Sequence, residues 1–471
     1  MHQNENLAEA GGETRRNFIK KAATATAAVA GTTLIKTPVY GQNQAPSTGV
    51  IGANSKIVVG FVGVGGMGYT HVRNMKNSAK ENNLGFGGVS DTYKKRMADA
   101  AKHLALDEGS TFTDYRRLLE KKDIDAVVVA TVDHWHAPVS IDALNAGKHV
   151  YVQKPMTRHL EEAFVLHDTV KKTGKILQVG SQGCSDGKYH KVAEQVKAGK
   201  VGKLVWGEGC YCRNAEPNGE WNYPIPAATA EEIDWDAWLG PAKKGDPALT
   251  GVPDKSDWKK CLEHFARWRR YHAYCSGLLG DLVPHRLHPM MLATGNPEFP
   301  VRVTSIGTRR VSTNRDVPDT VQVVAEFPSG FTLFVVSTTV NERGIVDTIR
   351  GSKGSLIFGG ISSHRVEFVP ERWASDEFDP ETFDNITPGE DNTIHEKNWF
   401  DSIRANKQPN GNIDLATRVQ TVISLAEMAD RLGLTLFFDE KTRKITTADG
   451  KVVEPINYGT LKSGPPAWEK A

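Results

Sequence analysis

Lys154, Asp281, His285 and His288 are residues of this chain whose types and neighbours point to proton chemistry. An imidazole titrates near neutral pH, so His285 can take a proton from a hydroxyl, and a nearby carboxylate or ammonium can tune and orient it. Lys154 precedes Pro155 just after the apolar run His149-Val150-Tyr151-Val152. An ammonium held there can donate to a reacting oxygen and stabilise charge developing on it. Asp281 follows the glycine-bounded turn Gly277-Leu278-Leu279-Gly280. If a helix opens near it, Asp281, His285 and His288 share one face, because residues three and four apart stack, and Pro289 kinks any longer helix. The competing reading is that Asp281 caps a helix and His285 packs as an ordinary polar residue. His134 and His136, two apart, add potential metal ligands, but the spacings match no recognised zinc motif and no metal is expected.

These groups need a scaffold, and it begins at residue 56. Lys56-Ile57-Val58-Val59-Gly60-Phe61-Val62 reads as a buried strand running straight into Gly63-Val64-Gly65-Gly66-Met67-Gly68. Gly63 makes the tight bend, Gly65 lets the backbone approach a pyrophosphate, and Gly68 lets helix pack closely on strand. Gly66 and Met67 lead into the helix predicted over 69–80, whose N-terminus faces the phosphates. A second strand ends in Asp91, an acid placed to take the adenosine ribose hydroxyls. Asp91 favours NAD because a carboxylate repels a 2′-phosphate. Its neighbours Lys94, Lys95 and Arg96 are able to receive that phosphate, which keeps NADP open.

Strand and helix patterns then alternate. A strand over 124–130 runs into Thr131-Val132-Asp133-His134-Trp135-His136. Ligands of open parallel sheets sit at the carboxyl ends of strands, so Thr131, His134 and His136 are assigned to the cofactor crevice. A helix over 138–146, a strand delivering Gln153-Lys154-Pro155, a helix over 161–173 and a strand over 176–180 complete a Rossmann-type domain spanning 56–180. Alternating strands at 201–212, 301–310, 319–327, 332–339 and 343–350 mark a second domain over 181–433, interrupted by a Trp-rich insertion at 213–262. Helices at 392–404 and 412–432 follow, and the 434–471 tail closes on the body. The fold class is α/β: an N-terminal Rossmann-type domain plus a C-terminal α+β domain with a large open, mainly antiparallel sheet.

Taken together, Gly63 to Gly68, Asp91, the Thr131 to His136 loop and Lys154-Pro155 resemble the Gfo/Idh/MocA family of sugar and inositol dehydrogenases, from about residue 56 onward. The resemblance implies an NAD(P)-dependent oxidoreductase acting on a sugar, polyol or glycoside. Lys154 matches the lysine of the family's Glu-Lys-Pro motif, and Gln153 stands where that glutamate usually is. Asp281 is then expected to contact the sugar or a bound water and His285 to handle its proton, while His288 falls where members often carry an acid. Arg267, Trp268 and Tyr274 belong to an aromatic and basic stretch that fits a carbohydrate cleft. The runner-up is a glycoside-cleaving enzyme that holds NAD, oxidises a sugar transiently, eliminates the aglycone and recycles the cofactor. The resemblance also implies a homo-oligomer formed through the open sheet face.

A chain of 471 residues allows two to four domains of about 150 residues. With 58 basic and 56 acidic residues the net charge is only +2, which argues against a nucleic-acid partner. Five cysteines make no disulfide scaffold in a chain this long. Arg15-Arg16 followed by the mildly apolar stretch Ala22 to Ile35 looks like a twin-arginine export signal over 1–35, with a polar linker over 36–55. That stretch falls short of the roughly 20 apolar residues a membrane-spanning helix needs. The chain is therefore expected to be exported by the twin-arginine machinery to the periplasm or beyond, and not to be transmembrane.

Overall fold

Apolar runs rich in valine and glycine alternate with helical segments between residues 57 and 180, and the longer runs become strands of one parallel sheet. The computed structural model describes residues 55–359, 363–387 and 391–462. The expected export signal and all of the linker but Ser55 lie outside them. The elements of this half are β1 (Ile57–Val62), α1 (Gly66–Asn77), β2 (Leu84–Ser90), α2 (Lys94–Leu104), β3 (Thr111–Phe112), α3 (Tyr115–Leu119), β4 (Ala126–Val129), α4 (Asp133–Asn145), β5 (His149–Gln153), α5 (Leu160–Thr173) and β6 (Leu177–Gly180). The strand order is β3-β2-β1-β4-β5-β6, so the direction of winding reverses between β1 and β4. Ligands of such sheets bind at that switch point.

Two helices start well before the sequence reading. α1 starts at Gly66, three residues earlier than expected, and α4 starts at Asp133, five residues earlier, with Pro138 inside it. Proline removes one helical hydrogen bond, the one to the carbonyl four residues back. Here that carbonyl belongs to His134, and it accepts the Tyr458 hydroxyl at 3.1 Å instead. The C-terminal tail thus repairs the helix that carries the crevice loop.

The second half begins with α6 (Gly187–Lys197) and builds a ten-stranded sheet on β7 (Leu204–Cys212). Within the insertion lie α7 (Trp235–Leu239) and α8 (Trp258–Ala266), followed by α9 (Leu278–Asp281) and α10 (Pro284–Ala293). The sheet continues with β8 (Arg302–Thr308), β9 (Thr320–Glu326), β10 (Thr332–Thr338), β11 (Thr348–Gly351), β12 (Gly354–Phe358), β13 (Val366–Pro370) and β14 (Glu381–Phe383). Helices α11 (Asn392–Ala405) and α12 (Ile413–Leu432) precede β15 (Leu436–Asp439) and β16 (Lys444–Thr446). The order is β14-β13-β12-β11-β7-β10-β9-β8-β15-β16, antiparallel except that β7 and β10 run parallel. β11 is shorter than expected, because residues 341–347 run outside the sheet.

The two C-terminal helices tie the halves together. α12 is capped by the Asn412 side chain on Leu415 N–H and ended by Gly433 at φ +66°. Its Ile413 and Ala416 join the core of the parallel sheet, whereas Val419, Val422 and Ile423 join the core of the second sheet. α11 places Trp399 and Phe400 in the Rossmann core as well. The boundary near residue 180 is therefore one of chain order, since later residues complete the first domain's core.

Candidate active site

The glycine turn has no room for side chains where it matters. Gly63 has φ +81°, and a Cβ there would lie 2.7 Å from the Ala130 carbonyl and Thr131 nitrogen. A Cβ at Gly68 would collide with the Gly63 carbonyl oxygen, whereas one at Gly66 would meet nothing within 4 Å. So Gly63 and Gly68 fit strand, turn and helix together, and Gly66 faces open space. α1 opens at that point, and its first-turn N–H groups, which lack helical partners, are the usual donors to a phosphate. Gly63, Gly65, Gly66 and Met67 line a cleft of about 1030 Å³ that continues to Tyr211 and His285 of the second half. Asp91 lines it too, its carboxylate accepting Val64 N–H at 2.8 Å and Tyr93 N–H at 2.9 Å, which locks it to the turn. Arg96 lies over the Phe265 ring at 4.8 Å and lines the cleft, whereas Lys95 points to solvent in a pair with Asp99. The cradle fits a dinucleotide.

At the other end, β5 delivers Gln153 and Lys154. Lys154 Nζ donates to both the carbonyl and the Oδ1 of Asp281, each at 2.6 Å. Arg269 Nε donates to the same Oδ1 at 3.3 Å, and Trp221 Nε1 donates to Oδ2 at 3.1 Å. Burial pushes the Asp281 carboxyl up, but Lys154 and Arg269 pull it further down, well below the usual carboxylate range. Burial lowers Lys154, and Asp281 only partly offsets that. His285 stacks on Tyr211 with ring centroids 4.7 Å apart. Burial, reinforced by Lys154, holds its imidazole well below its ordinary value, so it is neutral.

Asp281 and His285 do not share one continuous helix. α9 ends at Asp281 and α10 begins at Pro284, so the chain turns between them. α10 itself continues through Pro289 to Ala293. Other expected site residues stand behind the wall of the cleft. His134 is fully buried with Nε2 on the Trp238 carbonyl at 3.0 Å, and His288 has Nδ1 on the Pro284 carbonyl at 3.1 Å. Tyr274 is buried with its hydroxyl on His264, and Arg267 donates to the Tyr223 carbonyl. Each pairing takes one polar atom of the side chain into the wall of the cleft. Thr131, His136, Gln153 and Trp268 line the cleft as expected. His136 holds the Pro155 carbonyl at 2.6 Å, joining the crevice loop to the Lys154 strand end. Among the described residues no group of three His, Cys, Asp or Glu side chains is arranged to hold a metal.

Sequence reasoning gave no site role of their own to Asp133, Tyr211, Arg213 and Arg269, all of which line the cleft. Asp133 stood inside a segment already assigned to the crevice, and Arg269 next to two named residues; both had a signal in their neighbours. Tyr211 and Arg213 had none, because only the crossing of β7 beneath α10 brings them there.

Comparison with known proteins agrees with this architecture. Residues 57–181 match the oxidoreductase-family domain with the NAD-binding Rossmann fold, and residues 254–357 match the Gfo/Idh/MocA C-terminal domain. A glycosyl hydrolase family 109 protein of Shewanella baltica is 31% identical over 209 residues, which is 42% of this chain and 45% of that protein. An alpha-N-acetylgalactosaminidase of Shewanella oneidensis is 30% identical over the same 209-residue length, again covering 42% and 45%. The match thus spans less than half the length of these curated relatives. Among solved structures, levoglucosan dehydrogenase in complex with NADH and levoglucosan superposes with a TM-score of 0.62 at 18% identity, covering 81% of this chain and 99% of that one. An aldose-aldose oxidoreductase from Caulobacter crescentus gives 0.59 at 19% identity, covering 81% and 100%. The chain thus carries both domains of the Gfo/Idh/MocA oxidoreductase family, one matched in each half.

Proposed function

We propose that this protein is an NAD-dependent oxidoreductase acting on a hydroxyl of a sugar, polyol or glycoside. The observation that carries the reading is Lys154, an ammonium held by Asp281 in the same cleft that the glycine turn opens. Gly63, Gly65, Gly66, Met67 and Asp91 would hold the dinucleotide, and Thr131, His136 and Gln153 line the same cleft. A nicotinamide dinucleotide held in that cleft would supply a hydride acceptor for a carbinol carbon. Lys154 has three N–H donors, two of them on Asp281, which leaves the third for the reacting oxygen. Arg269 and Trp221 keep Asp281 fixed, so the ammonium is preorganised. Neutral His285 lines the same cleft. Trp268 and Arg269, the guanidinium 4.2 Å above the indole, form a wall suited to a sugar face.

The glycosidase relatives favour a second reading, in which the cofactor stays bound and is recycled while a glycosidic bond is cleaved by elimination. We further propose export through the twin-arginine route on Arg15-Arg16, placing the protein in the periplasm or outside the cell. Trp206, Val324 and Ile306 are exposed on one face of the ten-stranded sheet, the surface for a homo-oligomer.

Mass spectrometry of the denatured protein for co-purifying NAD(H), with product analysis on glycosides without added cofactor, separates the readings. Stoichiometric NADH supports the dehydrogenase, and released aglycone supports the recycling scheme. Lys154→Met should lower turnover about a hundredfold or more while bound cofactor is retained. Turnover near wild type in that variant at saturating substrate defeats the mechanism.

A further inference from the structure

Asp133 is an acidic side chain at the centre of the cleft to which the mechanism above gives no task. It is the first residue of α4 and only 4% exposed, yet it lines the cleft. No described residue donates a hydrogen bond to its carboxylate. Buried carboxylates are normally paired or hydrogen-bonded, because taking an ion out of water is costly. A carboxylate left without a protein partner and open to a ligand cleft is therefore a group whose partner arrives with the ligand.

Its position fixes which part of the ligand that is. Asp133 Oδ2 lies 3.5 Å from where a Cβ on Gly280 would stand, and Pro155 Cγ lies 3.2 Å from the same point. The next residue after Gly280 is Asp281, which holds Lys154 Nζ, and the residue before Pro155 is Lys154 itself. A side chain at position 280 would meet Ser276 Oγ at 2.6 Å, with Pro155 and the Asp133 carboxylate packed just beyond it. Asp133 thus belongs to the reacting centre and not to the phosphate end of the cleft.

The charges around it make its ionisation informative. Arg269, Lys154, Asp281 and Arg158 act on it, and its charge in turn acts on Cys275 and Tyr458. Burial is the largest influence and Asp281 adds to it, while Arg269, Lys154 and Arg158 oppose; the carboxyl is pushed up to about 7. The group is therefore poised between its two states near neutral pH. His285, by contrast, is held neutral by burial and by the Lys154 charge, so gaining a proton there would add a third cation to a site that already holds Lys154 and Arg269.

We propose that Asp133 is the proton reservoir of this site, ionised while the bound nicotinamide is oxidised and cationic, and protonated once the ring is reduced and neutral. This rests on the dehydrogenase reading above and adds the residue that keeps its charge in balance. The substrate O–H bond breaks and an O–H bond forms on Asp133. The oxygen's electron pair becomes the new carbonyl π bond, and the carbon's hydrogen leaves with two electrons to the oxidised nicotinamide, the oxidant. One positive charge on the ring and one negative charge on Asp133 disappear together. In the reverse direction the stored proton is returned to the oxygen, so a cycle that oxidises and then re-reduces a sugar needs no proton from solvent.

The test is the affinity of the cofactor-stripped full chain for NAD+ and for NADH, measured by calorimetry across pH values on both sides of neutrality. An ionised Asp133 attracts the cationic ring and does nothing for the neutral one. The preference for NAD+ over NADH should therefore rise with pH, by up to about tenfold per pH unit where one proton is linked. Asp133→Asn should flatten this slope while still binding NADH, and Asp133→Glu should restore it. A wild-type preference that is flat with pH although both forms bind overturns the proposal and leaves the dehydrogenase reading standing. A slope that persists in Asp133→Asn also overturns it, assigning the proton to another group. If neither form binds, the proposal and the reading it rests on fall together. The wild-type slope needs no variant, so a folding defect in Asp133→Asn cannot hide the result.

Discussion

Trp221 Nε1 donates to Oδ2 of Asp281 at 3.1 Å, so an indole from the Trp-rich insertion buttresses the carboxylate that holds Lys154. Trp221 has φ +58°, in a region that bulky residues rarely occupy, and its ring is 2% exposed. Strain of this kind persists where surrounding contacts over-determine it, and it concentrates at functional sites. Trp238 stacks on Trp235 at 4.8 Å and packs on Tyr274, and its carbonyl accepts Trp135 Nε1–H at 2.9 Å, which ties this part of the insertion to the body. The insertion is therefore part of the active-site wall.

Trp221→Phe keeps the ring and deletes the donor. A hydrogen bond to a charged group is worth about 1.5–3 kcal/mol, and the loss should appear in the denaturant midpoint. Because Asp281 then turns more freely, kcat should fall while NAD affinity holds. Unchanged stability and kcat would mean that the Asp281 carboxylate does not need this contact.

Gly63→Ala and Gly66→Ala should separate turn geometry from cofactor contact. At Gly63 the added methyl meets backbone at 2.7 Å on a φ of +81°, so both stability and NAD affinity should drop. The left-handed conformation alone costs roughly 1–2 kcal/mol. At Gly66 nothing lies within 4 Å, so the thermal midpoint should hold while NAD binding weakens.

Arg158 is fully buried and pairs with Glu427 of α12 at 2.7 and 2.9 Å, with its second nitrogen also on the His272 carbonyl. Breaking a buried pair from one side leaves an uncompensated charge, at about 3–5 kcal/mol. Glu427→Ala should be among the most destabilising single changes, read by equilibrium unfolding in denaturant. Arg158 lies four residues after Lys154, so the same variant should also lower turnover.

Asp281 predicts the acid limb of stability. Its carboxyl is depressed in the folded protein, so it contributes stability that is fully present above the unfolded value of about 4 and is lost as pH falls toward the folded value. Glu427 shifts in the same direction, Arg158 overcoming the effect of burial. Denaturant midpoints should therefore fall steeply below about pH 4 in the wild type. Asp281→Asn should start from lower stability at neutral pH and show a shallower acid limb.

Much of the site was legible from local pattern. The turn from Gly63 to Gly68 between a strand and a helix specifies its own geometry, because the constraints are steric and act within a few residues. Lys154 at a strand end and Asp281 after a glycine turn were legible for the same reason. That His134, His288 and Tyr274 stand behind the cleft wall was not legible, because a side chain's type says which bonds it can make and not which the fold already supplies. His134 and His288 each bond a main-chain carbonyl, and one of those carbonyls lies more than a hundred residues away.

The sequence by itself determined the order of strands and helices and the dinucleotide turn, and it pointed to Lys154, Asp281 and His285 as a candidate centre, since periodicity, glycine sterics and residue chemistry are local properties. Only the tertiary structure decided the cleft's far wall, where β7 brings Tyr211 against His285 and the insertion brings Trp221 against Asp281. It also decided the electrostatics. Asp133 and Asp281 are both aspartates in one cleft, yet one is pushed up to about 7 and the other held well below the carboxylate range. The difference is desolvation against charge pairing, and both depend on what the fold packs around each carboxyl.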